Sequence, residues 1–350
     1  MSEKKLRIVC VGAGYFAQFH LEAWQRLREV EMLAICDQDI QKASTLAKHF
    51  EIDRVYTDYR EMIEKEKPDA IDIITPPQSH LEICAFAASK GLDIICQKPL
   101  APTYKEAIEL VEEVEKHGVR FMVHENFRFQ PWFRFIKSQL EQGRIGDRLH
   151  QIYFRFRTGD GWQKDAYMNR QPYFRQMPRL LVFETGIHYI DSFRYLGGEI
   201  SAVYAQLKRW NDNIAGEDAA FIHFEFENGS TAIWDANRYN ESEAEDPRFT
   251  FGTCLIEGNQ GALELETDGR IILHPLGGNA VELSYPVEKK NFAGDCVFHT
   301  QEHFVWALKQ GKPFETNGRD YLKSLLLLEA VYESSGKQQR IEIEAFTLDQ

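Results

Sequence analysis

The stretch that most constrains this chain is Leu6-Arg-Ile-Val-Cys-Val-Gly12-Ala-Gly14-Tyr15-Phe16-Ala17, an apolar run that breaks at a Gly-X-Gly-X-X-Ala turn. It reads as a strand that passes straight into a helix running through Trp24 and Leu27. Gly12 lets the chain turn sharply, Gly14 leaves room for a pyrophosphate against the backbone, and small Ala17 lets the helix pack close to the sheet. The helix N-terminus, entered through Tyr15 and Phe16, offers unpaired N–H groups and a positive dipole end to the phosphates. Such a turn could be an ordinary Gly-rich connection, and it counts only inside a βαβ unit. Here Met32-Leu-Ala-Ile-Cys36 supplies the second strand and ends at Asp37, near the spacing at which an acid hydrogen-bonds the adenosine ribose. A carboxylate there repels a 2′-phosphate, so NAD is favoured over NADP. Asp37 could instead cap the next helix, although Asp39 is better placed for that.

Strand and helix patterns alternate up to about residue 125. Asp39 opens a helix to Phe50, Arg54–Tyr56 is a short strand, and Asp58 with Glu61 is a capping box. Ala70–Thr75 is the fourth strand, Ser79 with Glu82 caps the helix that ends before Gly91, and Leu92–Cys96 is the fifth strand. Thr103 with Glu106 opens the next helix, Gly118 closes it, and Arg120–Val123 is the sixth strand. Six strands in βα alternation predict an α/β, doubly wound parallel sheet over residues 1–125.

From Leu149 the pattern changes to period two, in Leu149–Arg157 and in Ala219–Trp234, the latter broken by the hairpin signal Asn228-Gly229. A second hairpin turns at Asp268-Gly269. Residues 126–350 therefore read as an α+β domain with an open, mainly antiparallel sheet. Its helices are placed from about Arg179 to Leu196 and after His299 and Tyr321, and the last helix could pack back on the first domain. The sheet face that the helices leave over, with aromatics such as Tyr204, Phe224, Phe226 and Trp234 on one side or the other, suggests a homodimer or homotetramer.

The totals exclude several classes. A formal net charge of -13 disfavours nucleic acid and anionic membrane as partners. Met1-Ser-Glu-Lys-Lys5 leads into the first strand with no apolar leader, and no run approaches the ~18 to 20 apolar residues of a membrane span. A cytoplasmic protein is expected. The six cysteines are scattered without CxxC spacing, which reads as buried free thiols with neither a disulfide framework nor a metal site.

In an open α/β sheet the ligand lies beyond the carboxyl ends of the strands. After strand four comes the rigid turn Thr75-Pro76-Pro-Gln-Ser-His80, and after strand five Gln97-Lys98-Pro99. Lys98 at a strand end reads as a half-buried ammonium aimed at a cofactor, or as a solvated loop lysine. On the predicted helix of the second domain, spacings of four and three put Glu184, His188 and Asp191 on one face. Imidazole is the side chain best suited to proton transfer near neutral pH, although a lone helix histidine is more often structural.

The turn at Gly12, Thr75-Pro76 with His80, Lys98-Pro99, Asn126-Phe-Arg128-Phe129 and Glu184-Thr-Gly-Ile-His188-Tyr-Ile-Asp191, in this order and spacing, resemble the glucose-fructose oxidoreductase / inositol dehydrogenase / rhizopine-catabolism (Gfo/Idh/MocA) family along essentially the whole chain. The resemblance implies a Rossmann domain followed by an open-sheet domain, bound NAD(P), and oxidation or reduction of one carbinol of a sugar, polyol or derivative. It implies that Gly12, Gly14, Tyr15, Phe16, Asp37, Thr75, Pro76, His80, Gln97, Lys98 and Asn126 hold the cofactor. Lys98 and His188 match the family's catalytic lysine and histidine, and Arg128 matches a basic position near substrate. Two positions depart from the pattern, with Gln97 where the family usually has Glu and Glu184 where it usually has Asp. Gln97 can still hydrogen-bond a ribose but removes a charge beside Lys98, and Glu184 keeps its charge on a longer arm.

The long segment from Thr158 to Arg179 is rich in Trp, Tyr, Asn and Arg, which suits a polyhydroxylated ligand bound through Trp162 and Tyr173, or a subunit contact. The acidic run Glu241–Asp246 reads as a solvated loop. Together these features predict an NAD-dependent dehydrogenase of a sugar, cyclitol or polyol. His188 would act as base, Lys98 would stabilise the alkoxide, and Glu184 would orient substrate or His188. The segment Asn126–Trp132 resembles aldose 1-dehydrogenases such as those acting on apiose. The alternatives are a redox-neutral enzyme that uses NAD transiently to eliminate or hydrolyse a group, and a non-catalytic NAD-sensing protein.

Overall fold

The structure is a computed structural model and describes residues 4–348; Met1–Glu3, on which part of the leader reading falls, and the last two residues lie outside it. The chain divides into two compact units. The first comprises the residues up to Asn126 together with Val297–Lys323, and the second comprises Phe127–Cys296 with the residues from Ser324 onward.

The first unit alternates β1 (Leu6–Val11), α1 (Ala17–Arg26), β2 (Val30–Cys36), α2 (Ile40–His49), β3 (Arg54–Tyr56), α3 (Tyr59–Glu66), β4 (Ala70–Ile73), α4 (His80–Ser89), β5 (Asp93–Gln97), α5 (Tyr104–Glu115) and β6 (Phe121–His124). All six strands are parallel in the order β3-β2-β1-β4-β5-β6. Ile8, Val9, Ile71, Ile94 and Ile95 have no exposed surface, as strands covered on both faces require. The strand order reverses between β1 and β4, and the crevice at such a switch point is where a ligand binds.

The predicted helix starts follow their caps at three places. The Asp39 carboxylate accepts from the N–H of Gln41 and Lys42, Asp58 from Arg60, and the Thr103 hydroxyl from Glu106. At α4 the expected capping box is absent. The Ser79 hydroxyl is engaged with Thr75 Oγ1 and the Pro76 carbonyl, while Glu82 pairs with Arg60. Sequence spacing alone could not show that the Thr75 turn competes for that hydroxyl.

The second unit carries α6 (Pro131–Glu141), β7 (Leu149–Arg157), α7 (Ile187–Gly197), β8 (Ile200–Lys208), β9 (Ala219–Phe226), β10 (Thr231–Asn237), β11 (Gly252–Gly258), β12 (Gly261–Leu265), β13 (Ile271–Pro275) and β14 (Val281–Leu283). The chain continues through α8 (Cys296–Gln310), α9 (Gly318–Lys337) and β15 (Ile341–Glu342). The nine-stranded sheet runs β14-β13-β12-β11-β7-β10-β9-β8-β15, antiparallel throughout except for the parallel pair β7 and β10. Both hairpin signals hold, joining β9 to β10 and β12 to β13.

Three expectations change. Residues 126–350 do not form one continuous domain, because Val297–Lys323 belongs to the first unit. There Thr316 pairs with Val123 on the edge strand β6, Phe304 meets Trp24, and the Tyr321 hydroxyl donates to Glu125. An open strand edge is a row of unpaired backbone groups, and this segment covers part of it. Second, Phe224, Phe226 and Trp234 are buried on the helix-facing side of the sheet, packed by Phe193, Gly197 and Tyr189. The open face instead carries the cross-strand row Tyr204, His223, Ile233, Tyr153 and Leu255. Third, the helix expected from Arg179 begins as a π turn over Leu181–Gly186 before α7. No described helix is long and apolar enough to cross a membrane.

Candidate functional site

The cradle at the switch point is set by two glycines with different duties. Gly12 adopts φ +110°, and a Cβ there would come within 2.6 Å of the Ile74 carbonyl oxygen just after β4, so no larger residue fits this turn from β1 into α1. Gly14 is exposed and a Cβ there would meet nothing within 4 Å, so its missing side chain keeps space open for something other than protein. Just beyond, α1 begins after Phe16 with no side-chain cap, its Ala17 and Phe19 N–H groups donating to the nearby Gly14 and Phe16 carbonyls, and the positive end of the helix faces this cradle. Tyr15 is exposed and Phe16 half-buried at this entry.

Asp37 closes the other side. Its Oδ2 accepts the Ala13 N–H at 2.7 Å and its Oδ1 the Asp39 N–H at 2.8 Å, fixing the carboxylate at the end of β2 while Asp39 does the capping of α2. At the end of β6 the side chain of Asn126 is buried, and its Oδ1 has no hydrogen-bond partner, which is costly unless a ligand supplies a donor. The open space at Gly14, the uncapped helix start and the orphaned amide oxygen together fit a bound dinucleotide. Thr75 and Pro76 form the turn after β4, with Pro76 exposed.

His80 does not face a ligand. It is fully buried, with Nδ1 3.0 Å from the Leu100 carbonyl and Nε2 2.8 Å from the Thr75 carbonyl. Burial pushes its pKa down, against the pull of those carbonyls. The expectation of a cofactor contact is corrected to an internal clamp that ties the Thr75 turn to the segment after Lys98. Gln97 and Lys98 are half-buried at the end of β5. Gln97 Oε1 accepts the Lys98 N–H at 2.7 Å and its amide nitrogen lies 3.0 Å from His20 Nε2, which leaves one amide N–H for a ribose.

In the second unit the start of the π turn is held by Glu217, whose carboxylate accepts the N–H of Leu180 and Val182 and the hydroxyl of Tyr332. His188 is buried and stacks flat on Phe127, with ring centroids 4.1 Å apart and 6° between planes. Asp191 lies three residues after His188 within the regular turns of α7. It is fully buried in a bidentate ion pair with Arg128, at 2.7 Å from Nε and 2.6 Å from Nη2. The wider π turn over Leu181–Gly186 breaks the even 100° spacing between Glu184 and His188 and leaves that between His188 and Asp191 intact. Arg128, expected near substrate, is thus spent on Asp191 and lies beside the Tyr195 ring.

The long loop has a small core of its own, in which Ala166, Tyr167 and Phe174 pack with Leu180 and Ile214. A cavity of about 490 Å³ beside it is lined by Asp160, Gln163, Tyr167, Asn169, Arg170 and Arg248, among others. Burial pushes the Tyr167 phenol up to about 12, so it stays a neutral hydroxyl, and it has no protein partner. Burial alone would raise Asp160, but Arg238 and Arg170 hold its carboxyl below the usual range. Trp162 and Tyr173 do not line this cavity. They are 46% and 58% exposed, turned outward because their neighbours fill the loop core. Glu184 lies near enough to Tyr173 and Arg238 for their charges to interact.

Sequence reasoning passed over Asp160, Arg238, Glu217, His20 and Asp72. The last had a local signal, an aspartate in the otherwise apolar strand Ala70-Ile-Asp-Ile73.

A parallel sheet in Rossmann order, with a glycine cradle at its switch point and a carboxylate at the end of β2, defines an NAD-binding oxidoreductase fold. The family model for oxidoreductases with an NAD-binding Rossmann fold matches residues 6–125, and that for the GFO/IDH/MocA C-terminal domain matches residues 133–264. The D-apiose dehydrogenase of Paraburkholderia graminis is 33% identical over 351 residues, covering 98% of this chain and 91% of that protein. The D-apiose dehydrogenase of Rhizobium rhizogenes is 31% identical over 351 residues, covering 99% of each. A crystal structure of an oxidoreductase from Agrobacterium radiobacter in complex with NAD+, L-tartaric acid and magnesium has a TM-score of 0.90 and 31% identity, covering 98% of this chain and 99% of that chain. The chain belongs to the Gfo/Idh/MocA oxidoreductase family.

Proposed function

We propose that this chain is an NAD-dependent dehydrogenase that oxidises a hydroxyl of a free sugar, with the C1 hydroxyl of an apiose-like branched aldose as its substrate. The observation that carries the reading is the near full-length likeness to two D-apiose dehydrogenases, on a chain that carries Lys98 and His188 at the family's motif positions, with Glu184 where the family usually has Asp. Bound NAD supplies the hydride acceptor. Gly12, Gly14 and Asp37 hold it, with Thr75, Pro76, Gln97 and Asn126 around the nicotinamide end. His188, held flat by Phe127, takes the hydroxyl proton, the Lys98 ammonium stabilises the developing alkoxide, and Glu184 orients the sugar. The test is NADH formation from NAD with a panel of aldoses, polyols and cyclitols. Apiose or another aldose turns over fastest; NADH from none of them rejects the reading.

Cofactor choice rests on Asp37. Wild type binds NAD well above NADP, and Asp37→Ala weakens NAD by about tenfold or more while levelling the preference, since a hydrogen bond to a charged group is worth ~1.5–3 kcal/mol. Dissociation constants for both nucleotides check this, and equal wild-type affinities would refute the role of Asp37.

Assembly into a homodimer or homotetramer belongs to the same reading. The open sheet face presents Phe221, 45% exposed, beside the row of Tyr204, His223, Ile233, Tyr153 and Leu255. Light scattering at micromolar concentration reports a dimer or tetramer, and a monomer there removes the idea. A cytoplasmic location completes the reading, since six buried cysteine thiols suit a reducing compartment.

A further inference from the structure

His20 on α1 and Asp72 in the middle of β4 are both fully buried, and the hydride transfer proposed above uses neither. His20 Nδ1 lies 2.8 Å from Asp72 Oδ2, and the Trp24 indole N–H donates to the same oxygen at 2.7 Å. On the other side of the ring, His20 Nε2 lies 3.0 Å from Gln97 Nε2, and Gln97 Oε1 accepts the main-chain N–H of Lys98 at 2.7 Å.

The direction of each bond follows from the Lys98 end. A main-chain N–H only donates, so the Gln97 atom that faces it is the carbonyl oxygen. The atom facing His20 is then the NH2, which also only donates. His20 Nε2 must offer its lone pair, its proton sits on Nδ1, and that proton goes to Asp72. The imidazole in this arrangement is neutral.

We propose that Asp72, His20 and Gln97 are positioning residues, a one-way hydrogen-bond chain that pins the main chain at Lys98, and that glutamine at position 97 is what keeps the His20 imidazole neutral. The inference rests on Lys98 being the lysine of the reaction proposed above. Glutamate has the same length but no N–H to donate. With Glu at 97 the ring would need a second proton, to bridge two carboxylates. Around this chain, His124 of β6 stacks on the His20 ring with centroids 4.0 Å apart, and Glu125 beside it takes the Tyr321 hydroxyl. The thiols of Cys10 and Cys96 stand near Asp72, and burial first, with that carboxylate, pushes both well above the usual thiol range, so neither adds a charge.

The experiment uses the full-length protein labelled with 15N-histidine, the His20 signals being assigned through His20→Gln, together with Gln97→Glu and Gln97→Met. In wild type His20 is the Nδ1–H tautomer, unprotonated at Nε2. Gln97→Glu converts it to the doubly protonated ring and adds to the pH profile of kcat an ionisation that wild type lacks. Gln97→Met lowers kcat by about tenfold while the sugar KM moves less than about threefold, and the Lys98 amide exchanges with solvent at least about tenfold faster. An Nε2–H tautomer, or a His20 that titrates in wild type, overturns the proposal. So does a Gln97→Met variant with a lowered Tm but wild-type kcat and wild-type Lys98 amide exchange. If wild type oxidises no sugar, the functional reading fails on its own, while the tautomer and amide exchange still decide this one. Should Gln97→Met not fold, the wild-type tautomer and the Gln97→Glu spectrum are decisive.

Discussion

Lys98→Met and His188→Ala should each lower kcat by about 10²- to 10⁴-fold, the usual cost of losing a positioned acid, base or charge stabiliser. The two losses differ in what accompanies them. A base acts only in its unprotonated form, so the wild-type rate rises with pH, and His188→Ala should lose that dependence with little change in NAD affinity. In the proposed arrangement the Gly12 turn, the open space at Gly14 and Asp37 set that affinity, and all belong to the first unit. Lys98→Met should shift NAD binding as well, since Lys98 sits in the turn that Gln97 and β5 present beside the nicotinamide in the proposed arrangement. Steady-state kinetics against pH on the best sugar, with NAD titrations, separate the two roles. A His188→Ala enzyme with wild-type kcat and pH profile would make His188 only the stacking partner of Phe127.

The second large effect is on stability. Arg128 and Asp191 bury opposite charges in a bidentate pair that joins the segment before α6 to α7. Removing either partner strands the other charge away from water, at a cost of about 3–5 kcal/mol. Arg128→Met and Asp191→Leu should each lower the free energy of unfolding measured in urea by that much. The double variant should recover most of it, because two apolar side chains in the same space leave nothing unpaired. Arg128 was expected from the sequence to meet substrate. If that were its main duty, Arg128→Met would keep wild-type stability and lose kcat/KM alone, and that outcome would sink the structural assignment.

What was legible in the sequence was local. Asp39, Asp58 and Thr103 capped the predicted helices because the accepting side chain and the donating N–H lie two or three residues apart. The hairpins at Asn228-Gly229 and Asp268-Gly269 follow from backbone preference alone. Ser79 failed as a cap because a neighbour four residues back, Thr75, took its hydroxyl. The π turn before α7 was hidden because its cause, the Glu217 carboxylate on the Leu180 and Val182 N–H groups, lies some three dozen positions away in the chain. Trp162 and Tyr173 were chosen for their chemistry, and the loop core decided that they point outward.

The sequence by itself determined the parallel sheet, the glycine cradle, the acid at the end of β2 and the change to period-two strands, since each rests on periodicity or on contacts within one turn of chain. Only the tertiary structure decided which charges are spent. Asp191 is bound to Arg128, His80 is clamped between two carbonyls, and Asp72 is tied through His20 to the turn at Lys98. It also decided that Val297–Lys323 returns to the first unit and that β7 pairs in parallel with β10. Most of these are pairings between residues tens to nearly two hundred positions apart, and the free energy that selects them, burial of apolar surface with most buried polar groups given a partner, exists only once the chain has closed on itself.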